Sequence, residues 1–157
     1  VDGGVDVSGV LDGSLTVASA GDMYIVDDVT YRGGDPVIGP HEGCDDILGL
    51  VSQGNVIVED NAANASDCNI HAHIMALNTS FQAENYRSGV PRGTLTVHGG
   101  IIQRYRGAVG TGYISGDSVV ISTGFAKNYS YDARFDMLQP PGYFLTGKYY
   151  ELGWREV

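Results

Sequence analysis

The string Gly13-Ser14-Leu15-Thr16-Val17 returns, nearly unchanged, as Gly93-Thr94-Leu95-Thr96-Val97, 80 residues further along. An inexact internal repeat is the mark of stacked architectures, in which each unit buries its apolar face only against its neighbours. Four turns of about 20 residues would separate the two copies, a typical rung length for a β-solenoid. Between them lie short β-type runs, among them Met23-Tyr24-Ile25, Val29-Thr30-Tyr31, Ile47 to Val51, Asn55 to Val58 and Ile70 to Leu77. Single small residues punctuate these runs, as in Ala20-Gly21-Asp22 and Gln53-Gly54-Asn55. No Asn-Gly dipeptide, a strong hairpin signal of antiparallel sandwiches, occurs. The pattern predicts an all-β chain, a short right-handed parallel β-helix. Leu15, Val17, Met23, Ile25, Leu48, Leu50, Val56, Val58, Leu95 and Val97 would point inward, one strand spacing of about 4.8 Å apart along each ladder.

Composition agrees with strands and turns. Of 157 residues 23 are Gly, charged residues make up only 18%, and the only lysines are Lys127 and Lys148. A long helix with Glu–Lys surface pairs is therefore not expected. The net charge is −10, which argues against nucleic acid, because phosphate binding needs a basic face. The charge is uneven: residues 1–86 carry 14 acidic residues against Arg32 alone, whereas residues 87–157 carry five acidic and eight basic ones. No apolar run is long enough to span a membrane. The chain opens at Val1 inside a strand-like pattern, which suggests a processed or trimmed product.

One domain is expected over residues 1–157, with coils over 1–124 interrupted by loops at 32–46, 59–67 and 107–124. From Phe125 onward the chain becomes aromatic and Pro-broken, with Tyr129, Tyr131, Phe135, Pro140, Pro141, Tyr143, Phe144, Tyr149, Tyr150 and Trp154. A solenoid end exposes core and open strand edges, so residues 125–157 read as a C-terminal cap laid across the last coil.

The segment Leu95-Thr96-Val97-His98-Gly99-Gly100-Ile101-Ile102-Gln103-Arg104-Tyr105-Arg106-Gly107-Ala108-Val109-Gly110-Thr111 resembles the C-terminal β-helical region of poorly characterised bacterial envelope proteins, a domain of unknown function linked to PilX-like type IV pilus assembly proteins. So do Lys127-Asn128-Tyr129-Ser130-Tyr131-Asp132-Ala133-Arg134-Phe135, Pro140-Pro141-Gly142-Tyr143-Phe144, Ala76-Leu77-Asn78 and Glu84-Asn85-Tyr86. The similarity runs over residues 5–156 and is most specific in the second half. It implies an extracellular or cell-surface location in a bacterium and brings no catalytic residue to carry over. The Cys pair and the Pro-rich insertion at 33–43 stand outside it.

Several residues are candidates for chemistry. His71 and His73, at i and i+2 of a strand, share a face and could hold Zn or Cu with Asp67, although the spacing matches no metal motif. Asp27-Asp28 and Asp45-Asp46 are paired carboxylates of the kind that work across a glycosidic bond, but neighbours on a strand point to opposite faces. Glu59-Asp60-Asn61 could bind calcium weakly. Asn64, Asn78 and Asn128 head glycosylation triplets, with Asn64 in the most exposed loop. Cys44 and Cys68 are expected to form a disulfide, since stacked rungs could bring their Cα atoms within about 6 Å and an exported location supplies the oxidant. No cofactor is expected, and no nucleophile elbow, phosphate loop or dinucleotide fingerprint occurs.

The expected function is non-enzymatic: a structural or interaction module of a surface assembly, stacking end to end as a pilus-like or filament subunit, with Arg104, Arg106 and Arg134 meeting the acidic end of the next copy. The other partners considered are different surface proteins. The alternative is a β-helix that binds or cleaves an extracellular polysaccharide, its aromatic tail stacking on sugar rings.

Overall fold

The structure, a computed structural model, describes residues 1–143. Among them there are twelve strands and no α-helix: β1 Val5–Leu11, β2 Ser14–Ser19, β3 Met23–Tyr31, β4 Gly34–Asp35, β5 Gly39–Pro40, β6 Ile47–Ser52, β7 Val56–Val58, β8 Cys68–Ala76, β9 Phe81–Ala83, β10 Pro91–Gln103, β11 Gly110–Ser115 and β12 Ser118–Tyr131. Two 3-10 turns, Ala63–Ala65 and Ala133–Asp136, complete the elements. The all-β expectation holds. Ten strands form one sheet that curls nearly closed, barrel-like, around a single core, and β4 and β5 pair apart from it.

Pairing is parallel everywhere except in β4–β5 and β11–β12. Register partners line up in three columns. The first is Val5, Met23, Val56 and Phe81. The second is Gly9, Val29, Ile70, Val97 and Tyr129. The third is Val17, Leu50, Ile74 and Ile101. Sequence alternation decides which residues enter the core. In β8, Cys68, Ile70, Ala72, Ile74 and Ala76 are all fully buried in the core cluster, and Asn69, His71, His73 and Met75 face outward. Each large inward side chain contributes roughly 1.5–3 kcal/mol through apolar burial. Eight of the ten expected inward residues are buried. The exceptions, Leu15 and Val17, lie on β2, which pairs only with β6 among the described residues and so stands at one end of the core.

The repeat that suggested stacking is not the stacking period. Val17 shares its column with Leu50, Ile74 and Ile101, whereas Val97 shares one with Ile70 and Val29. The two Leu-Thr-Val strings therefore lie in different columns. Insertions of unequal length between strands remove any constant period.

The segments after Gln103 differ from expectation. Residues 107–124 are not a loop: β11 and the first half of β12 form an antiparallel hairpin. Phe125–Tyr131 is not a cap but a further parallel strand on β10. The chain then runs along the side of the sheet. Thr16 donates to the Pro141 carbonyl at 2.6 Å, Tyr143 donates to the His73 carbonyl at 3.3 Å, and Phe135 lies against the His73 ring. Over the described residues this strap crosses strands laterally and does not close the end. Phe144, Tyr149, Tyr150 and Trp154 of the expected cap lie outside the described residues.

Candidate functional site

The two ends of the core differ in chemistry. At the N-terminal end, β1 pairs only with β3 and β2 only with β6 among the described residues, so each leaves one edge of N–H and C=O groups open. Val5, Val7, Leu11 and Val17 are half-buried against the core, and Leu15 is 45% exposed. A groove of about 160 Å³ runs between β1 and β2 over Val29 and Leu48. Apolar side chains and open strand edges together make a surface suited to strand addition.

At the opposite end, Leu95, Val97 and Gly99 of β10 are in register with Lys127, Tyr129 and Tyr131 of β12. Positions that are apolar in the preceding strand thus carry an ammonium and two phenols. An inward-facing charge on an edge strand discourages further pairing, because docking there would strip it of water.

The histidine pair shares a face as expected but does not converge. His71 is fully buried beneath the 34–40 hairpin. Its Nδ1 accepts from the Tyr31 N–H at 3.1 Å and its Nε2 donates to the Pro36 carbonyl at 3.2 Å, so the ring is neutral. Its register partner His98 donates from Nε2 to the Val37 carbonyl at 2.8 Å, accepts from or donates to Ser130, and meets His71 edge-on. The two imidazoles pin the hairpin to the sheet. His73 instead lies under the strap, against Phe135 and Tyr143, and its buried Nδ1 has no hydrogen-bond partner among the described residues. Burial holds both His71 and His73 below the usual imidazole range. Asp67 is used elsewhere, accepting from the Thr94 N–H at 2.6 Å. Among the described residues no group of three metal-ligating side chains occurs.

The expected disulfide is corrected. Cys44 and Cys68 are both free. Cys68 points into the core beside Leu95, where burial, with Asp28 and Asp27 nearby, pushes its thiol up to about 12. Cys44 sits on the loop before β6, its Sγ 3.5 Å from Asp46 Oδ2. One thiol is inside the sheet and the other is in a turn at its margin.

Arg134 is not available to a partner either. Its guanidinium forks onto the Asp132 carboxylate at 2.7 Å, donates to the carbonyls of Cys44 and Asp46 at 2.8 and 3.0 Å, and lies over the Tyr31 ring. It ties the start of the strap to the turn before β6. Arg104 and Arg106 are exposed as expected. Asn64 is 1% exposed, its amide donating to the carbonyls of Ile25 and Glu59, so a glycan there would have to displace core packing. The carboxylate pairs hold turns: Asp28 accepts from the backbone and side chain of Asn69, and Asp46 accepts from the N–H groups of Gly13 and Gly33. Glu59 and Asp60 are likewise occupied by Asn61 and Arg92.

Sequence reasoning missed the Lys127 position and the Asp46 turn. The first required knowing that Phe125–Tyr131 is a strand in register with β10. Among the described residues no helix is long and apolar enough to cross a membrane. Compared with protein-family models, curated proteins and solved structures, the chain has no match.

Proposed function

We propose that this chain is a structural and interaction module of a bacterial surface or secreted assembly, built as a short right-handed parallel β-helix and joined to a second copy through its N-terminal end. The β-helix reading is supported by the three parallel register columns, and its hand by the strong right-handed preference of parallel crossovers. The observation that carries the docking reading is the open apolar end made by Val5, Val7, Leu11, Leu15 and Val17, with an unpaired strand edge on both β1 and β2 among the described residues. The paired carboxylates, bound to backbone amides, favour structural over catalytic work.

An N-end to N-end contact is isologous and closes as a dimer. It brings two acidic rims together, including Asp2, Asp6 and Asp12, so salt should strengthen it. The second reading, head-to-tail growth into a filament, draws on the excess of acid in residues 1–86 and of base in 87–157. It would bury Lys127 against apolar side chains, and salt should weaken it. Light scattering across protein concentration at low and high salt separates the two. A dimer that tightens with salt, and that Leu15→Asp reduces to monomer with an unchanged circular dichroism spectrum, is the expected result. Fibres in electron micrographs that dissolve in salt would favour the filament. A monomer at every concentration would overturn both.

A further inference from the structure

The end of the sheet that carries Lys127 has a trough in two lobes. One lobe, about 350 Å³, lies between Phe81, Ile101, Gln103, Arg106, Lys127 and Tyr129. The other, about 260 Å³, shares Ile101 and Tyr129 with the first and continues to Tyr131. Its floor is apolar and its walls are polar, as expected where a core ends with no described residue across it.

The polar side-chain groups left free in the larger lobe are nearly all donors. Gln103 shows this best. Its Oε1 accepts from the N–H groups of Phe81 and Gly107, at 2.9 and 3.1 Å, which fixes the amide orientation and leaves its NH2 as the remaining polar group. Arg106 and Lys127 have no carboxylate within ion-pair distance among the described residues, whose ion pairs involve Arg32, Arg92 and Arg134. Instead the two cations line the same lobe, and burial, with the Arg106 charge, holds the Lys127 ammonium below its usual range. Two adjacent cations and an oriented amide create a local need for an acceptor-rich anion, even on a chain whose net charge is −10. Screening over about 8–10 Å at moderate salt separates this site from the acidic first strands.

The remaining wall is aromatic. Tyr129 is 40% and Tyr131 61% exposed, and the Lys127 ammonium lies 6.0 Å from the Tyr129 ring centre. The half-exposed Tyr129 ring, tilted against Phe81 at 6.3 Å, borders both lobes and offers a stacking surface with a hydroxyl at its tip. A simple inorganic anion would use the cations and leave the ring idle.

We propose that this trough binds an acidic sugar, a pyranose ring bearing a carboxylate as in uronate polymers, with the ring against Tyr129 and the carboxylate between Arg106, Lys127 and the Gln103 amide. The proposal is independent of the N-terminal docking reading, since the two surfaces lie at opposite ends.

The test is titration calorimetry of the full chain with trigalacturonate, maltotriose and sodium sulfate. Trigalacturonate should bind and maltotriose should not. The double variant Arg106→Gln/Lys127→Gln should weaken trigalacturonate roughly tenfold or more, since it removes two charge-assisted hydrogen bonds. Tyr129→Ala should weaken it as well, while both variants keep the wild-type circular dichroism spectrum. Absence of trigalacturonate binding, or binding unchanged in the double variant, would overturn the proposal. Sulfate that binds as well as trigalacturonate and is insensitive to Tyr129→Ala would overturn it too, by showing an anion site without a sugar platform.

Discussion

Asp46→Asn should remove a large share of this protein's stability for the change of one atom. Asp46 is 3% exposed and bridges two turns. Oδ1 accepts from the Gly13 N–H at 2.5 Å, ahead of β2, and Oδ2 accepts from the Gly33 N–H at 2.8 Å, after β3. An asparagine has one acceptor oxygen, so either amide must then face an NH2 donor. The loss is one charge-assisted hydrogen bond, about 1.5–3 kcal/mol, together with a half-buried N–H left unpaired, for a total of roughly 2–4 kcal/mol. The pH dependence gives an independent check. Burial raises the Asp46 pKa, but the two backbone N–H groups, the Cys44 thiol and Arg134 together outweigh it and hold the carboxyl below 3.8. A carboxylate depressed in the folded state adds stability that is fully present well above 3.8 and is lost as pH falls through that value toward the folded pKa. Urea unfolding at pH 7 and pH 3 should show a large difference between wild type and variant at pH 7 and a smaller one at pH 3. A variant within about 0.5 kcal/mol of wild type at pH 7, the usual range for an inconsequential substitution, would refute the bridging role. A gap independent of pH would refute the charge argument.

Leu95→Ala removes a fully buried side chain and should cost about 2–5 kcal/mol in chemical denaturation. His71 and His73 are depressed by burial, so the folded state favours neutral rings. Their contribution is present above about pH 6.5 and fades as pH drops below it; the melting temperature should fall between pH 7.5 and 5.5, and less so in a His73→Asn variant. Arg134→Met leaves the 4%-exposed Asp132 carboxylate unpaired and two carbonyls without their donor. It should cost about 2–3 kcal/mol and, by hydrogen exchange, loosen residues 132–136 and 44–46 before the rest. Thiol labelling of the unfolded, unreduced protein should count two thiols per chain, since Cys44 and Cys68 are free.

What could be read from the sequence was what depends on near neighbours. Alternation placed Met23, Ile25, Val56, Val58 and Leu95 inward correctly, because a strand has only two faces. The shared face of His71 and His73 follows from the same rule. What failed depended on partners distant in the chain. The Leu-Thr-Val repeat suggested a common column, yet register is set by loops of unequal length, and Val17 and Val97 face different neighbours. The disulfide required two thiols to meet, but inward alternation at Cys68 sends its sulfur into the core. Arg134 looked available because its local partner Asp132 leaves one outer nitrogen, Nη1, unaccounted for. Its carbonyl partners at Cys44 and Asp46 lie about 90 positions earlier. Asn64 sits in a polar loop, but that loop folds inward to satisfy the Ile25 carbonyl. The aromatic tail concealed a strand, because Lys127, Tyr129 and Tyr131 look unlike core residues until one sees that they terminate it.

The column Gly49, His73, Gly100 carries a consequence for how this sequence can drift. A side chain added at Gly100 would meet the His73 ring, and one added at Gly49 would meet Pro140 and Tyr143 of the strap. The three strand positions and the strap therefore share a fixed volume. Enlargement at either glycine is tolerable only where another member of the group shrinks. Homologous chains should accordingly exchange bulk among positions 49, 73, 100, 140 and 143 in a correlated way, so that a larger residue at 100 travels with a smaller one at 73. Substituted singly, Gly100→Val should be harmful; paired with His73→Gly, much of the damage should be repaired.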